Sequence, residues 1–209
     1  MKLYDCSTAP SPRRVRIFLA EKDIDLPKVE VDLRHGEHLS DAFQANNPWC
    51  TVPLLELDDG TFISETAAIC GYLEALHPDP PLLGRDPRER AMVTMWDQRC
   101  ERDGFYAVAE VLRNKAKGMQ GRALTGPHTV AQIPALVERG RQRVQHFFEA
   151  LDRQLAGNEF LTGDRLTLAD ITALVAVDFA GWVKLTLPDE LNHARRWHQA
   201  MSERPSAKA

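Results

Sequence analysis

The stretch Val52-Pro53-Leu54-Leu55-Glu56-Leu57-Asp58-Asp59-Gly60-Thr61-Phe62-Ile63-Ser64-Glu65-Thr66-Ala67-Ala68-Ile69 decides how the rest of the chain is read. Proline has no backbone donor, so at the first position of a strand it frees the preceding amide and carbonyl to face something other than the sheet. A ligand backbone would satisfy them; so would solvent at a plain edge. Asp58-Asp59-Gly60-Thr61 reads as a tight hairpin turn, since Gly tolerates positive φ and Asp bonds its own backbone nearby. Ser64 is then placed to cap a helix. Its first residues, Glu65 and Thr66, would present a carboxylate, a hydroxyl and unpaired N–H groups at a positive helix end. Such an end suits a zwitterionic amino-acid head group.

Upstream, Lys2 to Asp5 alternates as a first strand and Ser7-Thr8-Ala9-Pro10 is rich in turn formers. Ser11-Pro12 is a helix start signal, a capping residue followed by proline at the first helical position. Val15, Phe18 and Leu19 continue at helical spacing to about Lys22. Val29-Glu30-Val31-Asp32-Leu33 alternates strictly and reads as a second strand. Strand, helix, strand predicts a parallel pair with a right-handed crossover. With the hairpin from Leu54 to Ile63 and a helix marked by Ile69, Tyr72, Leu73 and Leu76, the order is β-α-β then β-β-α, a thioredoxin-like arrangement.

His77-Pro78-Asp79-Pro80-Pro81 ends that helix and predicts a linker. The expected organisation is an α/β thioredoxin-like domain over residues 1–77, a linker over 78–87 and an all-α helical bundle over 88–209. In the second half Met92, Met95 and Trp96 open one helix. Ile133, Leu136, Val137, Val144, Phe147, Phe148, Leu151 and Leu155 track one face of another. Thr167-Leu168-Ala169-Asp170 is a capping box ahead of Ile171, Leu174 and Val175. Glu190 to Met201 reads as a last helix. Lys117 to His128, with Gly118, Gly121, Gly126 and Pro127, reads as a mobile or lid-like loop.

The chain has 209 residues, 44% of them hydrophobic, and 30 acids against 26 bases give a formal charge of -4. No field strong enough for nucleic acid or an anionic membrane follows from that balance, so small molecules or proteins are the expected partners. Met1 to Cys6 lacks the apolar run of a signal peptide, and no stretch approaches a membrane span. A soluble, cytoplasmic protein is expected. Cys6, Cys50, Cys70 and Cys100 show no zinc-ligand or Cys-x-x-Cys spacing and read as reduced, with Cys70 in the core. His35-Gly36-Glu37-His38 is incomplete as a metal site, and no metal is expected.

Val52-Pro53, the hairpin, the Ser64-Glu65-Thr66 helix start, the proline linker and Leu166-Thr167-Leu168-Ala169-Asp170-Ile171 in one order resemble the cytosolic glutathione S-transferase superfamily. The resemblance covers nearly the whole chain. Gly36-Glu37-His38-Leu39 followed by Asn47-Pro48 looks like the theta-type and related bacterial and fungal enzymes. It implies a cis bond at Val52-Pro53, glutathione as co-substrate, a homodimer and a detoxifying enzyme that activates the glutathione thiol for attack on small electrophiles. Two alternatives share the scaffold: a non-catalytic ligand- or protein-binding module, and a glutathione-dependent isomerase, dehalogenase or peroxidase.

The same resemblance implies the site. Val52 exchanges backbone hydrogen bonds with the cysteinyl residue beside Pro53, Glu65 meets the γ-glutamyl ammonium and Thr66 its carboxylate. His38 meets the glycyl end, a solvated histidine being the alternative. Aligning Arg13-Arg14-Val15 with the family's helix puts Ala9 where an activating serine usually stands and Pro10 where the bacterial beta class has cysteine. Tyr4 comes too early to be the tyrosine of the mammalian classes. The chain therefore resembles an atypical group that relies on the helix end and water. A thiol titrates near 8.5, and a helix N-terminus with one hydroxyl donor lowers that by roughly one to two units. Ser11 is the nearest hydroxyl and the catalytic candidate, followed by Thr8 and Ser7; as a plain cap it would accept from the Arg14 amide. Phe105, Tyr106 and Trp182 are candidates for an apolar second-substrate pocket, although aromatics at helical spacing are usually core. Arg99, Arg102 and Arg113 read as solvated helix faces, with Arg102 able to approach the cleft.

Overall fold

The computed structural model describes all 209 residues. Four strands, β1 (Lys2–Asp5), β2 (Lys28–Glu30), β3 (Leu54–Glu56) and β4 (Phe62–Ser64), form one sheet in the order β2-β1-β3-β4. β1 and β2 are parallel, and the other pairs are antiparallel. Helix α1 (Pro10–Glu21) makes the crossover between β1 and β2, α2 (Asp41–Asn46) follows β2, and α3 (Thr66–Leu76) follows the hairpin.

Strand alternation decides which residues each layer receives. Leu3 opposes Leu55, and both belong to the large core shared with Val15 and Phe18 of α1 and Ile69 and Leu73 of α3. Tyr4 opposes Leu54 on the other face, with Phe43 of α2, Val31, Cys6 and Val52 in a small second cluster. A one-residue slip would exchange the two sets, so the register is fixed by burial.

The second half is helical: α4 (Pro87–Arg99), α5 (Tyr106–Lys115), α6 (Ala135–Leu155), α7 (Leu168–Ala180) and α8 (Asn192–Glu203). All but one residue of α7 is buried. At its start the Thr167–Asp170 capping box forms as expected, and the buried Asp170 also accepts from the Leu161 amide and Trp197 Nε1. Burial pushes the Asp170 carboxyl up to about 6 against these donors. The Leu168 amide donates to the Leu82 carbonyl, tying the central helix to the segment that joins the halves. Lys22 reinforces that segment from α1, donating to the carbonyls of His77 and Pro80 at 2.7 Å each.

Several local expectations are corrected. α1 begins at Pro10 with the extended Ala9 as its cap, so Ser11 lies inside the first turn and caps nothing. Ser64 ends β4, and the cap of α3 is Glu65. β2 stops at Glu30: the Val31 amide still bonds to Asp5, but Asp32 then turns the chain through its bonds with Glu37, Arg34 and His35. α4 starts at Pro87 and buries Val93, Trp96 and Asp97, leaving Met92 exposed. Ile133 lies outside α6, its amide held by Asn114 Oδ1. Between α4 and α5, Cys100–Phe105 forms a π-helical turn that no sequence signal announced.

Candidate active site

Two prolines strip the N-terminus of α1 of donors. Pro10 and Pro12 have no N–H and the Ala9 amide is used by the Cys6 carbonyl, so the free backbone donor of the first turn is the Ser11 amide. The first turn carries no acid, so the positive helix end is not neutralised by its own side chains. Ser11 Oγ lies 3.5 Å from Thr66 Oγ1, the first residue of α3. The N-termini of α1 and α3 therefore meet at this pair. Ser7 and Thr8 face elsewhere: Ser7 donates from amide and hydroxyl to Glu30, and Thr8 contacts Cys6 Sγ. The Tyr4 hydroxyl is committed to Glu56 at 2.7 Å.

At the second helix end Thr66 is buried while Glu65 is exposed and its carboxylate makes no hydrogen bond or ion pair. Its backbone sits at φ 70° and ψ 128°, a region that disfavours a residue with a side chain and costs on the order of 1–3 kcal/mol. The Ile69 amide closes the first turn onto the Glu65 carbonyl, leaving the amides of Thr66, Ala67 and Ala68 without helical partners. Val52 is buried, and neither its amide nor its carbonyl enters a backbone hydrogen bond. The Val52-Pro53 bond is cis. Ala9, the cap of α1, packs against the cluster that contains Val52.

His38 stands in a single 3-10 turn, Glu37–Leu39, that Gly36 starts at φ 80°. The solvated alternative for it is corrected: the residue is buried, 7% exposed, and its Nδ1 has no partner. Burial lowers its pKa, and Arg122 and Arg113 lower it further, so the ring is neutral at pH 7. His35 and Glu37 do not join it, being tied to Asp32. No group of three histidines, cysteines or acids is assembled to hold a metal ion. Arg113 is no solvated face either: it is half-buried and donates to the carbonyls of Arg122 and Leu124, pinning the loop after α5.

From the helical half, Phe105 is buried whereas Tyr106 and Trp182 are about half exposed. Phe179 links them, 5.3 Å from Phe105 and 5.2 Å from Trp182, so the four rings make a continuous apolar wall. Burial raises the Tyr106 pKa, and the Glu101 and Glu65 carboxylates add to the rise. Arg102 is exposed and its guanidinium bonds only the Gln98 carbonyl; Arg99 lies over the Trp96 ring. Sequence reasoning missed Arg14 and Glu101. Arg14 is 4% exposed, stacks 4.5 Å from the Phe105 ring centroid and pairs with Glu101 of the π-helical turn at 2.9 Å. The partners are 87 residues apart, and no local pattern connects them.

Comparison with known proteins gives two family-model matches. Residues 8–76 match the glutathione S-transferase N-terminal domain and residues 119–205 the glutathione S-transferase C-terminal domain. Glutathione S-transferase 2 of Saccharomyces cerevisiae is 36% identical over 211 residues, covering 100% of this chain and 88% of the yeast protein. The crystal structure of a glutathione S-transferase domain-containing protein from Marinobacter aquaeolei superposes with a TM-score of 0.92 at 39% identity over 99% of both chains. A glutathione S-transferase from Methylobacillus flagellatus, solved with glutathione bound, superposes with a TM-score of 0.82 at 25% identity, over 99% of this chain and 96% of that one.

Proposed function

Because the chain belongs to the glutathione S-transferase family, we propose that it binds glutathione where α1 and α3 meet and directs its sulfur at a small electrophile. The observation that carries this reading is the convergence of two positive helix ends on the Ser11–Thr66 contact, with an unpaired carboxylate at Glu65 on one side. In this reading Glu65 receives the γ-glutamyl ammonium, while the Thr66 hydroxyl and the free amides after it receive the neighbouring carboxylate. Val52 offers the amide and carbonyl that an extended cysteinyl residue needs, and Pro53 holds it at the strand start. Neutral His38 donates a hydrogen bond to the glycyl carboxylate.

The sulfur then lies at the α1 end. A thiolate there gains the helix end, the Ser11 amide and the Ser11 hydroxyl, and each unit of pKa lowering equals 1.36 kcal/mol of preference for the charged form. The electrophile lies against Tyr106 and Trp182, with Phe105 as the buried support of that wall. Residues 1–77 thus hold glutathione, 78–87 link, and 88–209 supply the second pocket. No helix is long and apolar enough to cross a membrane, and the partners are glutathione, a small electrophile and a second copy of the chain.

The deciding experiment is retention on immobilised glutathione followed by turnover with a panel of aryl halides, enones and a hydroperoxide. Retention with conjugation supports the transferase. Retention with turnover of the hydroperoxide alone reassigns the reaction, and failure of retention leaves the binding-module alternative in its place. Light scattering at micromolar concentration tests the homodimer, which a stable monomer would contradict.

A further inference from the structure

Arg14 donates from Nη2 to Ser11 Oγ at 2.9 Å and from Nη1 to Glu101 Oε1 at 2.9 Å. A guanidinium has donors and no acceptor, so at the first contact Ser11 must be the acceptor. One lone pair of the Ser11 oxygen is thereby occupied, and its own proton has to point away from Arg14. The only other side-chain partner is Thr66 Oγ1 at 3.5 Å, long for an O–H···O bond. The Ser11 proton is therefore available to a group entering between the two helix ends.

The fold goes to some length to hold Arg14 in this orientation. The side chain is 4% exposed and its partner Glu101 16%. Phe105 covers one face of the guanidinium, and Nε is buried without a partner. Glu101 and Phe105 both belong to the π-helical turn Cys100–Phe105. The irregular turn is thus what brings an acceptor and a ring from the helical half onto a residue of α1.

We infer that Glu101 and Arg14 are positioning residues for the thiol: Glu101 fixes the guanidinium, and the guanidinium fixes the Ser11 hydroxyl as a donor to the glutathione sulfur. The inference rests on the reading that glutathione binds at the α1 end with its sulfur at Ser11. It adds that the donor is set from the helical half, so the sulfur site is complete only when the two halves are docked.

The test is the ultraviolet thiolate absorbance of glutathione bound to the full-length protein, titrated between pH 5 and 10, with affinity measured in parallel by calorimetry. Ser11→Ala should raise the thiol midpoint by about one pH unit, the value of one hydrogen bond to a charged acceptor. Glu101→Ala should raise it by a similar amount, and the Ser11→Ala/Glu101→Ala double variant should go no further than Ser11→Ala alone. Glu101→Gln, which keeps an acceptor oxygen but loses the charge, should restore most of the wild-type midpoint. A purely electrostatic effect of Glu101 predicts the opposite sign, because removing a negative charge near a thiolate lowers the midpoint. A lowered midpoint in Glu101→Ala, or full additivity in the double variant, overturns the relay and leaves the Ser11 reading intact. An unchanged midpoint in Ser11→Ala overturns that reading and the relay with it. If Glu101→Ala does not fold, Arg14→Lys serves in its place: it keeps the charge and loses the fork, so its midpoint should rise, and a wild-type midpoint overturns the relay.

Discussion

Glu65 combines two features that are rarely found together without a reason, an unpaired exposed carboxylate and a backbone at positive φ without glycine. If that conformation is retained to aim the carboxylate at an ammonium, stability and binding should separate at this position. Glu65→Gly relieves the strain and keeps an acceptable cap. It should raise unfolding stability by about 1 kcal/mol while weakening glutathione by about 1.5–3 kcal/mol, the range for charge-assisted bonds. Glu65→Gln should weaken binding without the gain in stability. Calorimetry with both variants checks this, and tight binding by Glu65→Gly would remove Glu65 from the site. His38 gives a second prediction at this scale. Its pKa in the folded chain lies below the ordinary 6.5, so the unfolded chain binds more protons as pH falls past that value. His38 therefore contributes stability that is present above pH 6.5 and lost as pH falls through its folded midpoint. A nuclear magnetic resonance titration should show that midpoint below 6.5 in the free protein and moved upward by glutathione, whose carboxylate favours the charged ring. A midpoint indifferent to glutathione would place the glycyl end elsewhere.

At the scale of elements, what was legible in the sequence was whatever one segment decides alone. The alternation of Lys2–Asp5, the Asp-Gly hairpin, the Thr167–Asp170 box and the long apolar face of α6 are all settled by neighbours in sequence, and all are present. The two serines do not cap because prolines and strand ends compete for the same signal. Pro10 is as good a first helical residue as Pro12, so the helix starts two residues early, and β4 keeps Ser64 in the ladder. Of the candidate site, Val52, Glu65 and Thr66 stand on elements the sequence announces. Arg14 and Glu101 do not, since their relation exists only once α1 and the π-helical turn both pack against α7. Helix approach is likewise invisible locally. A Cβ on Gly140 of α6 would lie 2.8 Å from Val111 Cγ2 and 3.0 Å from the Ala107 carbonyl of α5. Gly140→Ala should therefore cost about 1–3 kcal/mol by overpacking, despite alanine's better helix propensity. Urea unfolding should show a lower midpoint with an unchanged slope, and an unchanged midpoint would mean that α5 and α6 can separate freely.

For the whole molecule the question is whether the two halves fold as one body. Leu3, Val15 and Leu73 belong to the same cluster of 39 buried residues as Phe148, Leu174 and Trp197. Polar clasps run the same way: Arg13 to Asp178 at 2.6 Å, Arg14 to Glu101, and Arg204 to Glu21 at 2.7 Å. The partly exposed pairs among them, Arg13–Asp178 and Arg204–Glu21, are worth little, but the shared apolar core is not divisible, since separating the halves would expose both of its faces. Cys70 of α3 and Cys100 of the π-helical turn are both fully buried, one in each half, and burial raises both thiol pKa values far above the usual range. Each is unreactive until its own half opens. Pulsed thiol labelling along a urea gradient at fixed protein concentration, read for each cysteine by mass spectrometry, should give coincident midpoints. Glutathione at about 100 times its dissociation constant should stabilise by about 2.7 kcal/mol, and both midpoints should move together although the proposed ligand contacts lie mainly in the first half. If Cys70 alone gains protection, the halves open independently, and docking of the helical half could not set the geometry at Ser11.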